Sequence, residues 1–83
     1  MKYTTIEEIS QLREFIAARE DRINAITKRA TEIARTAHNL NLEQLEAVTA
    51  EVADLRKELA EHKKFIRDAK LVIAKFYAPA IVA

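Results

Sequence analysis

From Ile9 onward, apolar residues recur at alternating steps of three and four: Ile9, Leu12, Ile16, then Arg19, Ile23, Ile26, Ala30, Ile33, Ala37 and Leu40. Only Arg19 interrupts this stripe. A second runs through Leu45, Val48, Val52, Leu55, Leu59, His62, Ile66, Ala69, Ile73 and Phe76, and only His62 interrupts it. Steps of three and four keep side chains on one side of an α-helix, and stripes of this length predict coiled-coil packing rather than a generic surface helix.

Leu40 to Leu45 is a step of five where four would continue the pattern, so the two stripes are out of phase. A turn belongs between them. Asn39 tolerates the left-handed conformation at a helix end, Asn41 caps a following helix with Gln44 three residues on, and Leu40 and Leu45 occupy the positions of a hydrophobic staple. Thr5 and Glu8 have the spacing of a capping box at the start of the first helix. The predicted elements are helix one over 5–38, a turn at 39–41, helix two over 42–78 ended by Pro79, and an apolar tail over 79–83. Each helix would be roughly 50–55 Å long.

A short connection predicts antiparallel neighbours. Folding the chain about the turn pairs Ile9 with Ile73, Leu12 with Ala69, Ile16 with Ile66, Ile23 with Leu59, Ile26 with Leu55, Ala30 with Val52, and Ile33 with Val48. Arg19 and His62, the two interruptions, fall opposite one another. On one flank Arg22 faces Glu58, Arg29 faces Glu51 and Phe15 faces Phe65, while on the other Glu20 faces Lys63. Regional charge agrees: residues 5–21 carry −3 and lie beside 62–75 at +4, and residues 22–37 carry +3 beside 43–61 at −4. Exposed pairs of this kind select orientation more than they stabilise. The fold class is therefore all-α, an antiparallel two-helix coiled-coil hairpin expected to pair into a dimeric four-helix bundle. One uninterrupted helix of about 75 residues is the alternative.

Composition narrows the chemistry. With 83 residues there is room for a single domain, and a chain this short buries only about 60% of its unfolded surface, so an oligomer or partner is expected. There is no cysteine, hence no disulfide, thiolate nucleophile or cysteine metal site, and no glycine, hence no phosphate-cradling loop. Ser10 is the one serine and has no histidine placed to activate it. His38 and His62 lie too far apart to share a metal. No catalytic, cofactor or metal site is expected, and the chain is read as a non-enzyme. The net charge of +1 gives no overall electrostatic pull toward nucleic acid or anionic membrane. Met1 is not followed by the pattern of a secretory signal, so a cytoplasmic location is the expectation.

Two features remain. The polar layer of Arg19 and His62 reads as a register lock, with an anion-binding or pH-sensing site as the other reading, and Glu58 stands one turn away from His62 to satisfy either residue. The densest basic segment, Lys63, Lys64, Arg67 and Lys70, with Arg13 across from Lys70, is a candidate nucleic-acid surface. In general shape such a hairpin resembles the Rop-type RNA-binding proteins, whose hairpins pair into four-helix bundles. That likeness implies a nucleic-acid binder as the alternative function, although no motif of that family recurs here residue by residue.

The stretch from Leu71 to Ala83 contains one charge, Lys75. It is shorter than the roughly 20 apolar residues a transmembrane helix needs. Tyr3, Ile6, Leu71, Val72, Phe76, Tyr77, Ile81 and Val82 gather at the open end of the hairpin in excess of what helix one covers, which predicts a protein-binding patch. The expected function is a self-associating helical interaction module: an assembly factor, adaptor or protein inhibitor.

Overall fold

In the computed structural model, residues 5–82 are described, with side chains from 5 to 78. Helix α1 spans Ile6–Thr36, a single 3-10 turn covers Ala37–Asn39, and helix α2 spans Leu42–Val82. The two helices pack against each other in a rod of 61 × 20 × 20 Å.

Local chemistry sets the ends of α1. Thr5 has extended backbone angles (φ −114°, ψ 159°) and its hydroxyl oxygen accepts the Glu8 backbone N–H at 3.2 Å. The same hydroxyl donates to the Glu8 carboxylate at 3.0 Å. Glu7 and Glu8 in the first turn and Arg35 in the last complement the helix dipole. The C-terminus departs from expectation. α1 stops at Thr36, and Asn39 does not take the left-handed conformation, since no described residue has positive φ. Tightening into a 3-10 turn uses the late carbonyls instead: Leu40 donates to the Ala37 carbonyl at 3.2 Å and becomes extended (φ −92°, ψ 143°). Asn41 and Gln44 then form a reciprocal capping box, each side-chain oxygen accepting the other's backbone N–H, at 2.8 and 3.0 Å.

Helix α2 continues through Pro79 to Val82, past the break expected at Ala78. A proline's fixed φ of about −65° is itself helical, so the ring removes one hydrogen bond, to the Lys75 carbonyl, without turning the chain away. Lys75 itself is exposed.

Packing follows the two stripes, with one asymmetry. Among the described residues, α1 supplies Ile9, Leu12, Ile16, Ile26 and Ile33 to the buried core, and α2 supplies Ala69. Leu12, Ile16 and Ala69 form a cluster against which Phe65, Ile66, Val72 and Ile73 pack. The Leu12–Ala69 and Ile16–Ile66 layers thus lie where folding about the turn puts them. Ala30, expected in the core opposite Val52, is exposed because its methyl is too short to close the gap between the helices. Leu45, Val48, Val52, Leu55 and Leu59 consequently remain half-exposed.

Candidate functional site

The two interrupting residues meet. Arg19 Nη1 lies 3.0 Å from His62 Nδ1, and His62 Nε2 lies 2.8 Å from Glu58 Oε2. A guanidinium only donates, so Nδ1 accepts, Nε2 carries the proton and it donates to Glu58. Glu58 in turn receives Nε and Nη2 of Arg22, the latter at 2.9 Å. The chain Arg19–His62–Glu58–Arg22 ties the helices together near the middle of the rod. His62 keeps only 13% of its side chain exposed, and the Arg19 guanidinium lies over the Phe65 ring at 4.4 Å. Phe15 and Phe65 make no ring contact, and Phe15 stays 50% exposed. Phe65 has Arg19 on its face instead.

One flank is closed by charge. Besides Arg22 and Glu58, Arg29 holds Glu51 through two bonds of 2.6 and 2.9 Å. The hydrogen bond from Arg22, supported by that from His62, holds the Glu58 carboxyl down at about 2. Arg29 likewise lowers Glu51, and both arginines are raised by their carboxylates.

The opposite flank is open. A groove of about 570 Å³ runs between Ile26, Thr27, Ala30, Thr31 and Ala34 of α1 and Val52, Leu55, Arg56 and Leu59 of α2. It continues toward the turn along Ala37, Leu45, Val48 and Thr49, and a further hollow toward the open end is lined by Glu20, Ile23, Lys63, Ile66, Arg67, Lys70 and Leu71. Glu20 and Lys63 border that hollow without forming the ion pair expected of them. The threonine hydroxyls turn back onto their own helices: Thr27 to the Ile23 carbonyl (3.0 Å), Thr31 to Thr27 (2.9 Å) and Thr49 to Leu45 (2.7 Å). Their methyl groups are left for the groove. Sequence reasoning missed this flank; the short residues Thr27, Thr31 and Ala34 beside the seam were the signal that could have found it.

At the open end, Ile6 is 71% exposed, Leu71 57% and Tyr77 36%. Tyr77 stacks edge-on against Phe76 and carries Arg13 over its ring at 5.6 Å. Val72, expected to lie beyond the reach of helix one, packs on the Leu12 cluster, and Phe76 is half-buried. Tyr3 and the side chains of Ile81 and Val82 lie outside the described residues. Of the basic candidates, Arg67 touches Asp68 at 3.6 Å, and Lys63, Lys64 and Lys70 have no ion pair among the described residues.

Among the described residues no group of three His, Asp or Glu side chains converges as a metal site, and no helix is long and apolar enough to cross a membrane. No protein-family model, no curated protein and no solved structure matches the chain.

Proposed function

We propose that this hairpin is a non-enzymatic interaction module that works as a self-associated dimeric four-helix bundle, in the role of an assembly factor, adaptor or protein inhibitor. One observation carries the reading. The isolated hairpin exposes 6586 Å², whereas a compact chain of its 9.5 kDa exposes about 5,000 Å². Its radius of gyration, 18.2 Å, likewise exceeds the roughly 12 Å of a globular domain this long. Surface of that amount, with the α2 seam half-exposed along it, is the condition in which a small helical chain gains by pairing. The exposed side chains of Ile6, Leu71 and Tyr77 offer a second patch for a protein partner at the open end.

Sedimentation equilibrium over a wide concentration range tests the association. Twice the chain mass is expected, and a monomer at every concentration defeats the reading. Nucleic-acid binding is the second reading, favoured by the uncompensated Lys63, Lys64 and Lys70. It requires binding to RNA or DNA that weakens steeply with salt and with substitution of those lysines.

A further inference from the structure

We infer that the second copy of the chain seats on the open flank, with both turns at the same end and a two-fold axis running along the rod. This rests on the self-association proposed above and names its surface.

Area is the first reason. The excess exposure over a compact chain is about 1,500 Å², and a stable dimer interface takes about 800 Å² from each partner. The open flank offers a continuous strip for it: its hollows succeed one another from Leu45 to Leu71, about 39 Å at the helical rise, with apolar side chains along the floor and Glu20, Arg56, Lys63, Arg67 and Lys70 along the border. A strip that long and straight fits a helix pair and is far too long for a small ligand. The threonine hydroxyls along it are already bonded within their own helices, so covering them leaves none unpaired, and the long side chains of Arg56, Lys63, Arg67 and Lys70 can carry their charges out to the rim. The closed flank lacks this advantage. Burying it would desolvate Arg22, Arg29, Glu51 and Glu58 together.

Shape decides the direction. On the open flank α1 presents mostly short side chains, Thr27, Ala30, Thr31 and Ala34 beside Ile26 and Ile33, and α2 presents longer ones, Val52, Leu55, Arg56 and Leu59. A two-fold axis along the rod lays α1 of each copy over α2 of the other at the same height, so the short side chains at Thr27, Ala30, Thr31 and Ala34 meet the longer ones of α2. An axis across the rod instead lays small on small and large on large. The first arrangement also sets Glu20 beside Lys63 of the second copy, and brings the exposed Ile6 and Tyr77 of the two open ends together. Across the rod, Arg56 would come level with Lys63 of the second copy. The chosen arrangement has one like-charged approach, Arg13 to Lys70, at an edge where both reach solvent and Arg13 already leans on Tyr77.

Two measurements test it. Ala34→Glu and Thr31→Glu alter exposed groove positions, so each hairpin should keep its helical circular dichroism while its dimer dissociation constant rises at least tenfold. Ala25→Glu, exposed and off the groove, should leave that constant unchanged. The chain has no cysteine, so a spin label at His38→Cys reports direction cleanly. The two labels should sit within about 25 Å, the width of neighbouring helices plus linkers, rather than near the 61 Å length of the rod. A dimer indifferent to both glutamates, or one with labels near the full length, overturns the inference and leaves self-association standing. A wild-type chain that stays monomeric overturns both and assigns the groove to a different partner.

Discussion

On one flank of the hairpin, Arg22 and Arg29 reach across from α1 to Glu58 and Glu51; on the other, Thr27, Thr31 and Ala34 stand opposite Val52, Arg56 and Leu59 with nothing bridging them. The same two helices build both, so the difference lies in which residue types flank the seam. Long complementary side chains close a gap by themselves. Short ones leave it for another surface, and here they leave it lined by methyl groups. A two-helix chain has only one seam, and here ion pairs close one side of that seam while the other stays open.

Both flanks share a floor, and breaking it gives the largest effect. Leu12 is 2% exposed within the Leu12–Ile16–Ala69 cluster. Leu12→Ala should cost about 2–5 kcal/mol in urea denaturation. Leu42→Ala, at a position 74% exposed, should stay within about 0.5 kcal/mol. Equal losses at the two positions would mean that the stripe is not the core.

The polar layer comes next. Replacing Arg19 and His62 together by leucine exchanges a bonded polar pair for apolar packing, and leaves Glu58 its bonds from Arg22. The melting temperature should rise, by about 4–8 °C for each kcal/mol gained in a domain of this size. Either single replacement should lower it, since the remaining partner keeps a half-buried polar group unpaired. A double variant that keeps the wild-type oligomeric state and is less stable would reject the register lock and favour a ligand site.

How far these features were visible in the chain depends on how they are encoded. The Leu12–Ala69 layer, the Arg22–Glu58 and Arg29–Glu51 pairs and the Arg19–His62 contact were legible because an antiparallel hairpin fixes which residues share a height. The Thr5 and Asn41 caps were legible from local chemistry. Asn39 was misread because a tolerated conformation is not a required one, and the 3-10 turn met the same carbonyls. Pro79 was misread because helical φ and a missing N–H act in opposite senses, and at the end of a long helix the first prevailed. The open flank escaped notice because Ala30 fits the apolar stripe, yet its size decides whether the stripe is filled. Function was not legible in the same way, since the contact surface proposed for it carries no reactive group whose spacing could betray it.

Acid acts on the closed flank through Glu58, whereas among the residues lining the open flank only Glu20 is a carboxylate. Glu58 is held down at about 2, against an ordinary carboxylate near 4.3, so its contribution is present above the ordinary value and is lost as pH falls toward 2. The difference in unfolding free energy between the wild type and Glu58→Gln should therefore be constant near neutrality and shrink through that window. Ala34→Gln, on the open flank, should show a difference independent of pH over the same range. A Glu58 effect that persists at pH 2 would separate it from its charge.

The smallest expected effect isolates one bridge of the closed flank. Arg29 and Glu51 are both well exposed, and pairs of that kind are worth little even when doubly bonded. A double-mutant cycle with Arg29→Met and Glu51→Gln should return a coupling just above the error of a denaturation experiment. Arg29 also approaches Glu32 at 3.7 Å on its own helix, so the single Arg29 variant alone would mix two contacts, and the cycle removes the second because Glu32 is present in every arm. Raising ionic strength from about 0.05 M to about 1 M shortens the screening length to roughly 3 Å and should erase most of the coupling. The matching cycle across the open flank, Thr31→Ala with Arg56→Met, should give no coupling within the hairpin at either salt, because those side chains border the same groove without a bond between them. Coupling that survives high salt at Arg29 and Glu51 would show the pair acting through packing of its long stems, and the closed flank would then owe its closure to shape rather than to charge.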